Sequence, residues 1–402
     1  VQPHHKPSAF ALGLLFFLQW AACALWNISF SGVLRAHGLE AYIPYAFACS
    51  GLAAFISPLY IGALADHSVS PVRLLAWLNF ASGALIALCF TAIDRHWGGG
   101  TMLGFMMAYS LCASPLFSLS TAVALSILDN PAQRFGIIRL WATFGWACSG
   151  WFVSLVLRAD TSPRSGYAAA LVFVLLGFYC LRLPPMPPTP RPGPVSWKER
   201  LGLDALSLLG HPDHRMVFLT TTLLTIPLAA FYPITPLHLL DLGTGRPAAY
   251  MALGQITEVI CLVAMGGLWT RVRLKWIFVA GLSAAILRYA LFSLDTMPAV
   301  MLGITLHGVS YALYYITAQI YLAERIEPGM KVRAQALLTL LINGVGNLSG
   351  YLFTGWLRNA CAQEGRTQWP AYWWILCSCT AATTIAFLLF YRGIGRRPSQ
   401  AD

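Results

Sequence analysis

Charge is what this sequence has least of. Only 10% of its 402 residues are Asp, Glu, Lys or Arg, against about a quarter in a soluble globular domain. That scarcity excludes the two or three soluble domains its length would otherwise suggest. Acidic residues are scarcer still, 15 against 26 basic ones. Long polar stretches are nearly missing, the exception lying at about 184–214. No C-x-x-C pair occurs, and almost all ten cysteines sit inside apolar runs. They read as small packing residues, and neither a disulfide framework nor a thiolate metal site is implied. H-E-x-x-H and G-x-S-x-G are absent too, so hydrolytic and metal chemistry have no support. The chain does not read as an enzyme and calls for no cofactor. Its first apolar run is too long for a cleavable signal and is followed by more runs.

What is present in quantity is oil. The chain is 57% hydrophobic with a mean hydropathy of +0.64. Apolar runs of roughly 20 residues, enough to cross a ~30 Å hydrocarbon core, recur throughout. Twelve transmembrane helices are predicted: 10–34, 43–65, 73–94, 101–126, 135–158, 166–183, 215–239, 247–269, 275–294, 297–323, 333–357 and 371–391. Short alternating strands of a porin-like barrel do not fit such runs. The net charge of +11 suggests basic loops, not nucleic acid, because no segment is dense enough for a nucleic-acid stripe. With both ends cytoplasmic, most Lys and Arg fall on the cytoplasmic side.

Between spans six and seven, PPMPPTPRPGP is a tether that cannot be helical. SWKERLGLDALSLLG follows, with Trp197, Leu201, Ala205 and Leu208 on one helical face. It is expected to form a short amphipathic helix on the membrane surface. Domains are expected at 1–183 and 215–402, joined by a cytoplasmic linker at 184–214. GALADHSVSPVRL (62–74) and GGLWTRVRLKW (266–276) occupy equivalent places in the two halves. Two parallel six-span repeats around a central site are a secondary-transporter plan. No selectivity-filter sequence points to a channel.

The informative residues are the polar ones inside the oil. A charge at membrane depth costs about 2.5–3.5 kcal/mol on insertion scales. Glu258, in MALGQITEVICLVAM, is the one acidic residue of 15 near mid-span. Gln255 is one turn before it on the same face. Arg139, Thr143 and Trp146 make a stripe of cation, hydroxyl and aromatic in span five. Arg139 is the natural counterpart of Glu258, either as a packing ion pair or in a shared cavity. Span ten carries His307 and Tyr311 one turn apart, and span one offers Gln19, Trp20, Trp26 and Asn27. Arg288 reads as structural or gating. Pro227, Pro233 and Pro236 should bend span seven. Gly346 and Gly350 should let span eleven approach a neighbour closely.

At these residues the sequence resembles the major facilitator superfamily, and within it the bacterial nucleoside–proton symporters. GALADHSVSPVR is similar to the superfamily's loop between spans two and three. FLQWAACALW, IRLWATFGW, LGLDALSLL, GQITEVICL, ILRYALF and AQALLTLLINGVGNLSG carry the closer likeness, in order and nearly end to end. The resemblance implies a twelve-helix, all-α membrane protein of two six-helix bundles, working by rocking of its halves. It implies uptake of a nucleoside with a proton across a bacterial inner membrane by a monomer in the lipid bilayer. It places substrate contacts on Arg139, Thr143, Trp146, Gln255, Glu258, His307 and Tyr311, with Gln19 beside them. Glu258 is then the proton-coupling group, and Gly62, Asp66 and Arg73 serve a gate. There are departures. The family's Asp after the span-ten aromatic is Ala312 here, and two amides of span seven fall on Ala229 and Tyr232. Other readings are a permease or facilitator for a sugar or aromatic acid, or a membrane sensor that binds without transporting.

Overall fold

The computed structural model describes residues 8–66, 70–128, 131–184 and 196–393, and at 61–66, 131–134, 266–270 and 328 the backbone alone. The proline-rich tether and the side chains of Gly62 and Asp66 lie outside the described residues.

Each of the twelve expected spans has its helix. The first joins α1 (Ala9–Asn27) to α2 (Phe30–Ala36). The next two are α3 (Ile43–Asp66) and α4 (Pro71–Asp94). α5 (Gly99–Ala113) and α6 (Leu116–Ile127) form the fourth. The fifth is α7 (Pro131–Trp151) with a π-helical end, Phe152–Leu157, and the sixth is α8 (Arg164–Leu181). The linker holds α9 (Trp197–Arg200). α10 (Pro212–Leu228) and α11 (Phe231–Asp241) make the seventh span. α12 (Pro247–Met251) and α13 (Leu253–Arg271) make the eighth, and α14 (Leu274–Phe292) the ninth. The tenth runs through α15 (Met297–Ser310), a π-helical turn Tyr311–Ile316, and α16 (Thr317–Arg325). The eleventh is α17 (Lys331–Thr339), a second π-helical turn Leu340–Gly346, and α18 (Asn347–Ala360). A two-residue antiparallel hairpin, β1 (Ala362–Gln363) and β2 (Arg366–Thr367), leads to α19 (Trp369–Phe390).

Local chemistry explains the breaks. Span seven bends where Pro227 removes a backbone donor: α10 ends one residue later and α11 starts at Phe231. Span four breaks at Ser114–Pro115. The glycines of span eleven act as expected. A Cβ on Gly346 would sit 2.7 Å from Thr225, and one on Gly350 2.6 Å from Ala229. Small residues there let spans seven and eleven pack backbone to backbone.

The chain divides into two compact units, Val1–Pro194 with Thr244–Ala252, and Val195–Gly243 with Leu253–Asp402. In unit 1, α1 packs on α7 and α8, and α4 packs on α8 and α5. In unit 2, α14 packs on α15 and α19, and α13 packs on α15.

The linker differs from its sequence pattern. The amphipathic period suggests one helix, but α9 is four residues long. Gly202, left-handed at φ +70°, breaks it, and a 3-10 helix follows at Leu203–Gly210. A Cβ on Gly202 would lie 2.6 Å from the carbonyl oxygen of Arg333. The linker is therefore pressed onto α17, and Glu199 pairs with Arg333 at 2.9 Å. Ala205 is fully buried in the unit 2 core, with Leu208 packed against it. The apolar face expected to lie on lipid is largely spent on protein, although Trp197 stays exposed.

Within unit 1, Asp160 ties the start of span eight to the end of span five. Its Oδ1 accepts from Ser154 Oγ and from the Ala248 backbone N–H, both at 2.8 Å. Ser154 Oγ in turn accepts from the Ala249 N–H at 2.9 Å. Burial raises the Asp160 pKa above its ordinary 3.8, and the hydrogen bonds it accepts oppose the shift. The fold thus favours the protonated form, so its contribution to stability is full below the ordinary carboxylate range. That contribution is lost as pH rises through the raised folded value. Asp160→Asn keeps an acceptor without the charge. Its thermal unfolding temperature relative to wild type should climb between acidic and neutral pH. Asp160→Ala orphans the Ala248 N–H and should cost about 1–3 kcal/mol at any pH. A pH-independent difference for the Asn variant would refute the assignment.

Candidate functional site

In unit 1 the polar stripe sits on α7. Thr143 is buried and Arg139 and Trp146 are half-buried. Ile137, Phe144 and Trp151 are exposed on the opposite side of the same helix, as a period of 3.6 residues requires. The greasy side is thus available to lipid, and the stripe points away from it. Arg139 has no hydrogen bond or ion pair among the described residues. Gly145 makes the placement possible: a Cβ there would lie 2.3 Å from the Phe17 carbonyl oxygen, so α1 and α7 touch backbone to backbone. Gln19, from α1, is fully buried. Its Oε1 accepts from Ser120 Oγ at 3.5 Å, while its Nε2 has no partner among the described residues. Trp20 stacks on Phe16, and Trp26 donates to Tyr109 Oη at 2.9 Å, so both belong to packing. Arg73 is exposed on the first turn of α4.

In unit 2 the site is built where α13 crosses α15. A Cβ on Gly308 would sit 2.2 Å from the Gly254 carbonyl oxygen and 2.3 Å from the Glu258 backbone nitrogen. Only glycine permits that approach. The crossing sets the Gln255–Glu258 turn beside the His307–Tyr311 turn. On α13, Ile256, Ile260 and Val263 are exposed, and Glu258 lies on the other side of the helix, half-buried. Its carboxylate is therefore not aimed at lipid, which removes most of the cost the sequence raised. Gln255 is buried, and Gln255, Glu258, Tyr311 and Tyr351 all lie within electrostatic reach of the Tyr232 hydroxyl. The acid thus has the Tyr232 hydroxyl within reach and the Gln255 amide one turn before it on the same helix.

His307 stacks flat on Phe231, with ring centroids 3.7 Å apart and planes 8° apart. Tyr311 opens the π-helical turn and tilts against His307 and Tyr315. Such turns often mark functional positions, because the extra residue re-aims side chains. Ala312 is fully buried. Two contributors escaped the sequence reading. Phe231 gives no signal in its apolar run, and Arg288 reads as structural or gating. Arg288 is fully buried and reaches His307 directly. An arginine inside an apolar run was the available signal, but its partner is 19 residues away. Among the described residues no group of His, Cys, Asp and Glu is placed to hold a metal ion.

A sequence model described as Nucleoside H+ symporter matches residues 7–395. The chain belongs to that family. Among its relatives, YegT of Escherichia coli strain K12 is 32% identical over 400 residues, covering 95% of this chain and 93% of that one. Nucleoside permease NupG of the same strain is 23% identical over 404 residues, covering 95% of each. A crystal structure of a mutant form of the nucleoside transporter NupG superposes with a TM-score of 0.87 at 22% identity. It covers 96% of this chain and 100% of that one. The fold expected from the sequence, twelve helices of the major facilitator type, is the fold observed. Nucleoside H+ symporters and the permeases this chain resembles are transporters, not enzymes.

Proposed function

We propose that the protein imports a nucleoside across a bacterial inner membrane in symport with a proton, by alternating access and as a monomer. The observation that supports this most is the half-buried carboxylate of Glu258, turned from lipid and set among Gln255, Tyr232 and Tyr311. A group that must take up and release a proton needs that setting. A nucleoside needs the rest: hydroxyls and amides for ribose and base edges, and flat rings for the base. On unit 2, Gln255, His307 and Tyr311 supply these. On unit 1, Arg139, Thr143 and Trp146 supply a cation, a hydroxyl and a ring. Gln19, fully buried on α1 with its Nε2 unpartnered among the described residues, adds an amide from unit 1. Gly62, Asp66 and Arg73 stabilise one gate state, and the basic loops favour cytoplasmic termini.

Uptake into proteoliposomes tests the proposal. Labelled uridine, adenosine or inosine should accumulate when the lumen is alkaline, and a protonophore should abolish accumulation. Uptake of sugars or aromatic acids instead would replace the substrate class. Nucleoside binding without flux would make the protein a sensor. Equilibration indifferent to the pH gradient would make it a facilitator, in keeping with Ala312.

A further inference from the structure

Arg288 and His307 form a buried pair whose chemistry restricts what His307 can do. Arg288 Nη1 lies 2.8 Å from His307 Nδ1. Nη2 donates to Tyr289 Oη at 2.7 Å, and that hydroxyl donates to the Pro227 carbonyl at 2.6 Å. The guanidinium carbon lies 4.6 Å from the Tyr289 ring and 5.4 Å from the Phe231 ring. Arg288 is thus held from several sides and fully buried. A guanidinium has donors and no acceptor, and it does not lose its proton in a protein. The short Nη1–Nδ1 contact therefore needs a lone pair on Nδ1. His307 must be neutral, with its one ring proton on Nε2. A doubly protonated ring would set two donors and two positive charges against each other.

That leaves Nε2–H as the free donor. It has no hydrogen-bond partner among the described residues, and His307 keeps 7% of its surface accessible. The neighbouring ring carbon, Cδ2, is 3.6 Å from where a Cβ on Gly254 would sit, next to Gln255. Phe231 stacks on one face of the ring, so the imidazole can turn over only by a flip that ends in the same plane, and that flip would replace Nδ1 with a carbon and lose the contact to Arg288.

We propose that Arg288 is a positioning residue that fixes His307 as a neutral hydrogen-bond donor, and that this donor selects nucleosides whose base presents a carbonyl over those presenting an amino group at the same ring position. The selection rests on the nucleoside reading of this site. A carbonyl oxygen accepts from Nε2–H. An exocyclic amine in its place sets donor against donor and leaves both unpaired. The proton carried in symport is then not held by His307, whose Nδ1 is engaged by a permanent cation.

The test compares matched pairs by equilibrium binding to the purified full chain: inosine with adenosine, and uridine with cytidine. Wild type should prefer the oxo member of at least one pair on the order of tenfold. Arg288→Lys keeps a donor and should keep most of the preference. Arg288→Met frees the ring to offer either nitrogen and should bring the ratio toward one. A purely structural role would weaken both members alike and leave the ratio intact. His307→Gln, whose amide both donates and accepts, should also bring the ratio toward one, and it guards against an Arg288→Met protein that does not fold. Wild type binding both members of each pair equally would overturn the inference while leaving nucleoside transport standing. So would an unchanged ratio in folded Arg288→Met or in His307→Gln. Wild type binding no nucleoside would overturn both the inference and the function it rests on.

Discussion

Glu258→Gln should abolish proton-driven accumulation while leaving nucleoside counterflow. Glutamine matches the shape of glutamate and keeps hydrogen-bonding capacity, so contacts to Tyr232 and to a ribose can survive. What it cannot do is gain and lose a proton. In a symporter, the proton gradient acts only through a group whose protonation differs between the two sides of the cycle. With that group gone, the internal concentration of labelled nucleoside should approach the external one, whatever pH gradient is imposed. Exchange of internal for external nucleoside needs no net proton movement and should continue. The structure makes Glu258 the group to test, because it is half-buried, set opposite Ile256 and Ile260, and within electrostatic reach of the Tyr232 hydroxyl. Ala312 holds no carboxylate to share the task. Undiminished gradient-driven accumulation by the Gln variant would remove Glu258 from coupling and leave it a substrate ligand.

Gly308→Ala should cost the protein both stability and affinity. The added methyl would fall 2.2 Å from the Gly254 carbonyl oxygen and 2.3 Å from the Glu258 nitrogen, both of them main chain. No side chain can swing aside to admit it, so α13 and α15 must separate. Overpacking of this kind costs about 1–3 kcal/mol, a large share of a marginal total. The separation also moves Gln255 and Glu258 away from His307 and Tyr311, so nucleoside binding should weaken with stability. The thermal unfolding temperature of the purified protein should fall by about 1–4 °C. Gly104→Ala is the control, since a Cβ on Gly104 meets nothing within 4 Å, and it should lower neither quantity. Equal melting temperatures for the two variants would show that the crossing is looser than described.

Much of the architecture was legible because its causes are local. Each span is a run of apolar residues long enough for the membrane, and each such run became a helix. The bend of span seven followed from Pro227, because a missing amide acts on its own turn. The close packing of span eleven followed from Gly346 and Gly350. The polar stripe of α7 and the Gln255–Glu258 face were likewise readable, since residues three or four apart share a side of any helix.

Other features were not legible, for a common reason. The linker reads as one amphipathic helix, but Gly202 meets α17, more than 100 residues further on, and the helix breaks to fit. Span eight reads as one segment, yet its first turns are held by Asp160 and grouped with unit 1, while Glu258 belongs to unit 2. Arg288 reads as a lone cation with a structural or gating task, and its hold on His307 appears only when α14 and α15 are side by side. By itself the sequence determined the membrane class, the number of spans, the bend in span seven and the acid in the oil, because hydropathy and helical period act within a turn or a span. The tertiary structure alone decided which way the acid faces, which nitrogen of His307 carries the proton, and which unit holds each end of span eight. Those depend on side chains that only the packing of separate helices brings within hydrogen-bonding distance.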